Sequence, residues 1–585
     1  MQTITKTTLT VRYADDSEAS FDLASGYVDC GGFSLLLKEE DGVFAPELEV
    51  SAEKTAGVSY LIIRYTLSDS FADAHLLYYA DAHTTNDRAD VQSFEDCEAA
   101  SCNCLLVAKN TETGACVGLG RVTGFRFFSY LGIDRHSVYI QYQMEDKPLY
   151  AGREYRLEKY ILVEEETTLF LDRYAETVSR LCRACPAEEI PLGFCSWSRY
   201  YNDVDEAKIN NATDRVREYC GDRGNLVQID DGWQKVGSFP GIWEEDREKF
   251  PSGIAAAADR VHRNGQKFGL WLAPLLVSGK SAYLGEMRSL VRTDTCTLPG
   301  VHPLNYDDPE TYEHLYKTFR KMREVYHADY FKLDFLMAGF RYFTESAHPE
   351  VRYESDYVIA LFRRALRCIR DAVGDDVMLL SCGAPIIECA GLVNLQRASC
   401  DIIWGKSDPS FPLFWEIMKG ASATIIRRYF YNNTVFLNDP DGIVVRDIDI
   451  GDGFDCSYSE AKFWVASAFV SGGSWLHNEE LETLSAGRRQ LYLNCIPYLG
   501  ATGKPLDFFE KPITTVVSKD EKNTYLTFFN PGETYVDLRF PLSRLGLGTC
   551  RITRMLDKTD CGTADTIEEK SINPHSAEIY ILQKL

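Results

Sequence analysis

Residues 328–339 read ADYFKLDFLMAG, an apolar run that contains two charged side chains, Lys332 and Asp334. Side chains of a β-strand alternate between two faces, so Tyr330, Lys332 and Asp334 are predicted to share one face. The opposite face is predicted to be apolar and to carry Phe331, Leu333 and Phe335. An amphipathic helical pattern, ETYEHLYKTFRKMREVYH, immediately precedes the run. A strand that follows a helix and ends in polar groups is typical of an α/β barrel, although a buried structural ion pair would give the same pattern.

Seven further apolar runs resemble this one, and helical patterns of 10 to 18 residues lie between them. Alternation of strands and helices predicts a parallel sheet, and eight units in roughly 300 residues favour a closed (β/α)8 TIM barrel. The eight predicted strands are LGFCSWS, NLVQIDDGW, KFGLWLAP, DYFKLDF, VMLLSCGAP, LVNLQRASCDI, TVFLNDPDG and SGGSWLHN.

Short period-2 runs flank the barrel region on both sides. SYLIIRYTLS, CNCLLVAKN and HSVYIQYQM lie before it, and NTYLTFFNPG, TCRITRMLD and AEIYILQ lie after it. Successive short strands of this kind are typical of antiparallel sheets. We therefore expect three domains: an N-terminal β-sandwich over residues 1–175, the barrel over 185–495, and an antiparallel β-domain over 500–585.

Net charge, apolar runs and cysteine content argue against several classes of binding partner. A formal net charge of -25 disfavours nucleic acid and anionic lipid, because binding to phosphate depends on clustered cations. No apolar run approaches the ~18 residues that a membrane span needs, and the N-terminus shows no secretory signal. Eighteen cysteines without a signal peptide fit free thiols in a cytoplasmic protein. One C-x-x-C, Cys182 and Cys185, lacks the second pair of a zinc ribbon, so we expect no metal.

The carboxyl ends of the strands build the active site of such a barrel. Carboxylates, cations and indoles gather there, and this set suits a hydroxyl-rich ligand, because charged groups bind hydroxyls and an indole covers the apolar face of a sugar ring. The candidates are Trp197, Asp230, Asp231, Trp233, Trp271, Lys332, Asp334, Cys382, Arg397, Asp401 and Asp439.

Glycoside hydrolysis needs two carboxylates on opposite sides of the scissile bond. Asp334 on the fourth strand and Asp401 on the sixth are the predicted pair, since both are expected to face inward. A retaining enzyme places the two carboxyl groups about 5–5.5 Å apart; one attacks as a carboxylate and the other protonates the leaving group. Lys332 is expected to keep Asp334 ionised.

Each motif also has a structural interpretation. The DDGW segment after the second strand fits an Asx turn. NDPDG after the seventh strand fits a tight turn and lacks the spacing and terminal Glu of an EF-hand, so we predict no calcium site. Trp197 and Trp271 could pack between the barrel and its helices. The clustering of all these residues at successive strand ends favours the functional interpretation.

The barrel motifs resemble those of glycoside hydrolase family 36, the α-galactosidases. The resemblance rests on LGFCSWSRYYNDVDEAKI, VQIDDGWQ followed by FPSGI, GQKFGLWLAP, DYFKLDFL, LLSCGAPIIECAGLVNLQRASCDI and NDPDGIVVRD, which occur in order along the chain. It covers the barrel strongly and the flanks weakly, where that family also has an N-terminal β-supersandwich and a C-terminal β-domain.

The resemblance implies a retaining double displacement without a metal or organic cofactor. Asp334 matches the family's nucleophile, and Asp401 matches its acid/base. Asp230 and Asp231 match contacts to the axial 4-hydroxyl and the 6-hydroxyl, which would select the galacto configuration. Further sugar-contacting positions are matched by Trp197, Trp271, Lys332 and Arg397, with Cys382 near the 2-position.

Two departures from the family pattern bear on substrate choice. The chain has SCGAP where many relatives carry a longer glycine-rich segment, and it has Ser198 where relatives often have Tyr. The resemblance as a whole implies an exo-acting α-galactosidase that acts on small carbohydrates. The alternatives are an α-N-acetylgalactosaminidase, a galactosyl-transferring enzyme similar to raffinose synthase, and a sugar-binding or regulatory barrel; the sequence is also compatible with a homo-oligomer.

Overall fold

The structure is a computed structural model of the 585-residue chain. It describes residues 3–72, 75–81, 84–95, 97–235, 243–279, 288–292, 301–340, 353–403, 414–447, 450, 454 and 456–585.

Two antiparallel sheets form the N-terminal β-sandwich that the sequence predicts. In sheet order, the strands of the first are Glu18–Asp22, Ile4–Tyr13, Val58–Leu67, Ser137–Gln143, Ser129–Asp134 and Ala99–Cys102. Those of the second are Tyr27–Asp29, Phe33–Glu40, Val43–Val50, Tyr160–Val163, Cys116–Arg121, Leu105–Asn110, Leu76–Ala80 and Asp90–Ser93, with Glu154–Arg156 paired to Val43–Val50. The alternating apolar residues of both sheets meet in one buried cluster.

Helix Thr167–Cys182 connects the sandwich to the barrel, and the short helix Asp69–Ala72 lies within the sandwich between strands Val58–Leu67 and Leu76–Ala80. Helix Thr167–Cys182 has a wide apolar stripe and packs on the second sheet, where Phe170 lies directly over Gly118. A Cβ at Gly118 would come within 2.6 Å of the Phe170 ring, so this close contact depends on the glycine.

Eight parallel strands form the barrel, and each one comes from a predicted apolar run. They are Leu192–Cys195, Leu226–Ile229, Lys267–Leu272, Tyr330–Leu333, Met378–Ser381, Leu395–Arg397, Leu437–Asp439 and Trp475–His477. They pair in chain order, and the eighth pairs with the first. Between the seventh and eighth strands the amide of Ser474 donates to the carbonyl of Asn438 at 2.9 Å. Gly473 permits this approach, because a Cβ there would lie 1.7 Å from the same carbonyl oxygen.

Helices follow the strands on the outside of the barrel. The described ones are Trp197–Tyr200, Glu206–Cys220, Ile254–Arg263, Pro309–Glu324, Val358–Val373, Ile386–Cys389, Phe414–Arg427, Tyr458–Ser471 and Ala486–Cys495. A hairpin of Leu276–Ser278 and Val301–Pro303 lies between the third and fourth strands, and 3-10 turns occupy Tyr201–Asp203, Gly221–Arg223, Arg288–Leu290, Arg428–Tyr431, Ile496–Tyr498 and Leu542–Leu545.

The connection after the fifth strand departs from the predicted helix length, because it contains only the four-residue helix Ile386–Cys389. The N-terminal sandwich covers the barrel at this point. Buried Arg121 of the sandwich pairs with buried Glu388 of the connection at 2.6 Å. Gly391 lies against the carbonyl of Cys182, where a Cβ would clash at 2.0 Å. The sandwich therefore packs directly on the connection that follows the fifth barrel strand.

The C-terminal part forms a six-stranded antiparallel sheet and a two-stranded ribbon. The sheet consists of Lys504–Pro505, Thr515–Lys519, Thr524–Asn530, Ser576–Lys584, Cys550–Arg554 and Thr559–Ala564, and the ribbon of Val536–Pro541 and Thr566–Ile572. Helix Tyr458–Ser471 is apolar almost all round because it lies buried between the barrel and this sheet.

Within the described segments no helix has the length and apolar character needed to cross a membrane. In the same segments no group of three or more His, Cys, Asp or Glu side chains is arranged to hold a metal ion, and every cysteine is a free thiol.

Candidate active site

The interior of the barrel is apolar at one end and charged at the other. One buried cluster fills the lower interior with a side chain from most strands: Cys195, Leu226, Tyr330, Met378, Leu380, Leu395, Leu437 and Leu476. Because side chains alternate, the inward positions two residues further along each strand come at the carboxyl end. Lys332 follows Tyr330 in this way, and Arg397 follows Leu395, so the predicted inward faces of the fourth and sixth strands are confirmed for these residues.

The fourth strand ends at Leu333, and Asp334 lies one residue beyond it. Asp334 accepts hydrogen bonds from the indole N–H of Trp271 at 3.0 Å and from the amide of Phe335 at 2.7 Å. Burial alone would raise the pKa of Asp334, but Lys332, the Trp271 indole and Arg397 together hold it below its usual value of 3.8. The carboxyl group is therefore ionised at neutral pH.

Phe335 does not share the buried face predicted for it. Its φ is 51°, a left-handed conformation that is rare for an aromatic residue, and its side chain is 38% exposed. The strand period ends at Leu333, so the alternation that places Phe331 and Leu333 in the outer core does not extend to Phe335.

Lys332 lies between two carboxylates at the centre of the barrel. Its ammonium group is 3.0 Å from Asp230 Oδ2, and both side chains are buried. Asp230 also accepts from Gln228 Nε2 at 2.9 Å, and its amide donates to Ser196 Oγ at 2.8 Å. Because the buried charges compensate one another, Lys332 remains protonated, with a pKa raised well above 10.5 by Asp230 and Asp334 against the cost of burial.

Asp231 lies at the edge of this site and is half-buried. Its Oδ1 accepts a hydrogen bond from Gln234 at 2.5 Å, and its amide donates to Asp230 Oδ1 at 2.9 Å. Burial raises its pKa, and Gln234 and Asn202 oppose that rise through hydrogen bonds. Both carboxylates of the DDGW segment therefore end at the carboxyl side of the barrel.

The sixth strand supplies a buried guanidinium that meets three carboxylates. Arg397 pairs with Asp401, with Asp439 at 2.9 Å and with Asp441 at 3.0 Å. The pKa of Asp401 is raised to about 6, first by burial and also by the charges of Asp441 and Asp334, against the lowering effect of Arg397. Asp401 and Asp334 thus lie within electrostatic reach of each other and have pKa values shifted in opposite directions.

Two other predicted residues occupy the walls. Cys382 is fully buried, and burial keeps its thiol neutral by raising its pKa well above 9.0. It lies within electrostatic reach of Arg397 and Asp334. Trp197, in the turn after the first strand, is half-buried, packs against the interior cluster and meets the edge of the Tyr201 ring at 5.2 Å.

Trp233 lies outside this group. It is fully buried, its indole N–H donates to the carbonyl of Trp271 at 3.0 Å, and its ring stacks on Trp243 at 6.2 Å. The structural interpretation therefore holds for the tryptophan of DDGW, which supports the strand that carries Trp271.

Asp441 is the residue that the sequence interpretation missed. The structure shows no hydrogen-bonded turn in NDPDG; Asp441 instead contacts Arg397 and accepts the amide of Ile402 on Oδ2 at 2.9 Å. The available signal in the sequence is a second acid two residues after Asp439, just beyond a strand end.

A segment of the sandwich contacts the segments that follow two neighbouring barrel strands. Thr85 donates its amide to the carbonyl of Ala384 at 2.9 Å and accepts from the Ala384 amide on Oγ1 at 3.1 Å. Buried Arg428 pairs with Asp81 at 3.0 Å and donates to the carbonyls of Thr85 and Ala398. The segments that follow the fifth and sixth strands are therefore fixed to the same piece of the N-terminal sandwich.

Part of the chain matches a known protein family. Residues 172–369 match the family model described as Melibiase. This region contains the first four barrel strands, and over it the chain is similar to the melibiases.

Individual relatives that align with the chain are α-galactosidases. The chain is 26% identical over 152 residues to α-galactosidase Mel36A of Lactobacillus acidophilus, which covers 25% of this chain and 20% of that protein. It is 29% identical over 192 residues to α-galactosidase AgaA of Geobacillus stearothermophilus, covering 30% of this chain and 26% of the relative. These alignments span less than a third of either relative's length.

Solved structures extend the similarity to the whole architecture. The α-galactosidase of Lactobacillus brevis superposes with a TM-score of 0.65 at 15% identity, over 99% of this chain and 87% of that one. A variant of the GH36 α-galactosidase AgaA in complex with raffinose gives a TM-score of 0.64 at 13% identity, over 99% and 89%. At these identities the superpositions establish the fold, including both flanking β-domains.

Proposed function

We propose that the protein is a retaining, exo-acting α-galactosidase that releases terminal α-linked galactose from small oligosaccharides or glycosides. The observation that carries this proposal is the pair of carboxyl groups with opposite pKa shifts, Asp334 held ionised and Asp401 held protonated up to a pH of about 6. A retaining glycosidase needs one group in each state in the same pocket. The similarity to melibiases is the reason for proposing galactose as the sugar.

In the first step, Asp334 attacks the anomeric carbon from the face opposite the leaving group. Asp401 gives its proton to the glycosidic oxygen as the C–O bond breaks, so the leaving group departs as a neutral alcohol. The product is a galactosyl ester of Asp334. Trp271 and the Phe335 amide, which hydrogen-bond the free carboxylate, keep its oxygens oriented for attack.

In the second step, the Asp401 carboxylate accepts a proton from water. The water oxygen attacks the anomeric carbon, the ester bond to Asp334 breaks, and the sugar leaves with its original α configuration. Asp401 is again protonated and Asp334 is again a carboxylate. Both steps use carboxyl groups for attack and proton transfer, without a metal or organic cofactor.

We propose that charged side chains bind the sugar hydroxyls and that tryptophan side chains contact the sugar ring. Asp230, paired with Lys332, and Asp231 are the proposed acceptors for the 4- and 6-hydroxyls, and an axial 4-hydroxyl would distinguish galactose from glucose. Trp197 and Trp271 are proposed to cover the apolar face of the ring. Arg397 and Cys382 are proposed to lie near the 2-hydroxyl.

A cytoplasmic setting and the domain limits 1–175, 185–495 and 500–585 belong to the same proposal. The free thiols of the described cysteines support a reducing compartment. The three sets of sheets support the three-part division.

The test of this function is an assay with matched p-nitrophenyl glycosides. We expect release of p-nitrophenol from the α-galactoside and a rate lower by at least about 100-fold on the α-glucoside, since a buried polar contact to a misplaced hydroxyl is lost. Faster turnover of the α-N-acetylgalactosaminide would favour that alternative, and an oligosaccharide product after addition of a galactosyl acceptor would favour transfer. Binding of galactose without turnover of any of these would support a sugar-binding barrel.

The pH dependence of kcat/KM follows from the two carboxyl groups. Activity requires Asp334 ionised and Asp401 protonated, so the rate is lost below the lowered pKa of Asp334 and again as the pH rises through about 6, the raised pKa of Asp401. We expect a bell-shaped profile for melibiose with its alkaline limb near pH 6. A rate that rises between pH 6 and pH 8 would contradict the assignment.

A further inference from the structure

Asp441 lies two residues beyond the end of the seventh strand, Leu437–Asp439. Its φ is 84°, a left-handed conformation that L-residues rarely adopt and that persists only where the surroundings fix it. The neighbouring Gly442 is pressed against Asn478, where a Cβ would lie 2.3 Å from Oδ1. The left-handed backbone of Asp441 and the close packing of Gly442 therefore support the position of the Asp441 carboxylate.

The two oxygens of Asp441 have separate partners on the sixth strand and the segment after it. Oδ1 lies 3.0 Å from Arg397, and Oδ2 accepts the amide of Ile402 at 2.9 Å. Asp401 lies between these two partners in the chain. Asp441 thus holds the backbone beside Asp401 and at the same time competes with it for the guanidinium.

Arg397 carries one positive charge for three carboxylates. Each carboxylate contacts a different nitrogen of the guanidinium: Asp439 contacts Nε, Asp441 contacts Nη2 and Asp401 contacts Nη1. Asp439 also accepts a hydrogen bond from Ser474. Three ionised carboxylates around one buried cation leave a net negative charge, and burial makes this unfavourable. Of the three, Asp401 is the most exposed, with 30% of its side chain accessible against 15% for Asp441 and 5% for Asp439. A proton on Asp401 removes one of these charges at the position that substrate can reach.

We propose that Asp441 is a positioning residue that keeps Asp401 in its acid form in the resting enzyme, through its own charge and its hold on Arg397. This inference rests on the proposed function. Asp441 itself need not touch substrate. It acts through Asp401, so its loss should change the pH range of proton donation more than the attack by Asp334.

The other charged and titratable groups around Asp401 come from every neighbouring wall. Arg397 faces Asp401 from the sixth strand, and Lys332 and Asp334 face it from the fourth strand and its end. The thiol of Cys382 lies just beyond the fifth strand, and Cys400 immediately precedes Asp401 in the chain. The two cations favour the ionised form of Asp401, and Asp334 opposes it together with Asp441. Neutralising Asp441 removes one opposing charge and frees Arg397, and both effects favour ionisation of Asp401.

The test compares Asp441→Asn with Asp441→Glu in the full-length protein. We expect the alkaline limb of kcat/KM for melibiose to move to lower pH by about one unit in Asp441→Asn. It should stay within a few tenths of a unit in Asp441→Glu, which keeps the charge. With 2,4-dinitrophenyl α-galactoside, whose leaving group needs no proton, kcat/KM above pH 6 should change far less in either variant.

An unmoved alkaline limb in folded Asp441→Asn would overturn the inference, and so would equal losses on both substrates at all pH values. If Asp441→Asn does not fold, Asp441→Ser serves in its place, and the same limb is read. Wild-type protein without activity on any α-galactoside would instead contradict the proposed function, so the two failures are distinguishable.

Discussion

Replacing Asp334 by alanine should lower kcat/KM for p-nitrophenyl α-galactoside by at least about 10,000-fold. The carboxylate forms the covalent intermediate, and both the activated and the natural leaving groups depend on it. Loss should therefore be similar for melibiose and for the aryl glycoside. The measurement is steady-state kinetics at the pH optimum, with melibiose turnover followed by galactose release.

Azide gives this prediction a positive control. In Asp334→Ala a small anion can occupy the space of the carboxylate and attack the anomeric carbon, so azide should restore activity with the aryl substrate and yield β-galactosyl azide. Asp329→Asn is a matched control from the other end of the same strand, where Asp329 pairs with His262 and Arg323. It should lower the unfolding temperature and leave kcat/KM within about twofold. Turnover by Asp334→Ala near the wild-type rate would remove the nucleophile assignment and favour a sugar-binding barrel.

Replacing Asp401 by alanine should have the second largest effect, and the effect should depend on the leaving group. Melibiose needs protonation of a poor leaving group, so its kcat/KM should fall by about 1,000- to 10,000-fold. A dinitrophenyl galactoside leaves without a proton, and its kcat/KM should fall by no more than about tenfold. The alkaline limb near pH 6 should also disappear from the profile.

The comparison of the two substrates is the internal control of the Asp401 experiment. A misfolded or displaced pocket would reduce both rates equally. Equal losses on melibiose and on the activated substrate would therefore reject Asp401 as the acid/base and leave it only the role of a partner for Arg397.

Much of the fold could be predicted, because local periodicity encodes it. All eight barrel strands appear in order where short apolar runs alternate with helical patterns, and Tyr330, Lys332 and Leu395, Arg397 face inward as their spacing requires. The short fifth connection could not be predicted in the same way. It is stable because Arg121 and the helix ending at Cys182 cover it, and these contacts come from residues more than 200 positions away.

The site could be predicted as a collection of residues better than as a set of interactions. Strand ends gave Asp230, Lys332, Asp334, Arg397 and Asp401, whose contacts place them around one charged pocket. Sequence spacing does not say which carboxylates share a cation, so it does not point to Asp441 and does not separate Trp233 from the residues of the pocket. Roles for the site residues remain proposals that the variants above would test.

Retention of configuration through a covalent intermediate on Asp334 is the property on which the proposed mechanism depends. A proton NMR time course of p-nitrophenyl α-galactoside hydrolysis tests it most directly, because the anomeric signal of the first sugar released is read before mutarotation. We expect α-galactose to appear first and the β-anomer to grow in later. β-Galactose as the first product would show inversion and would contradict it.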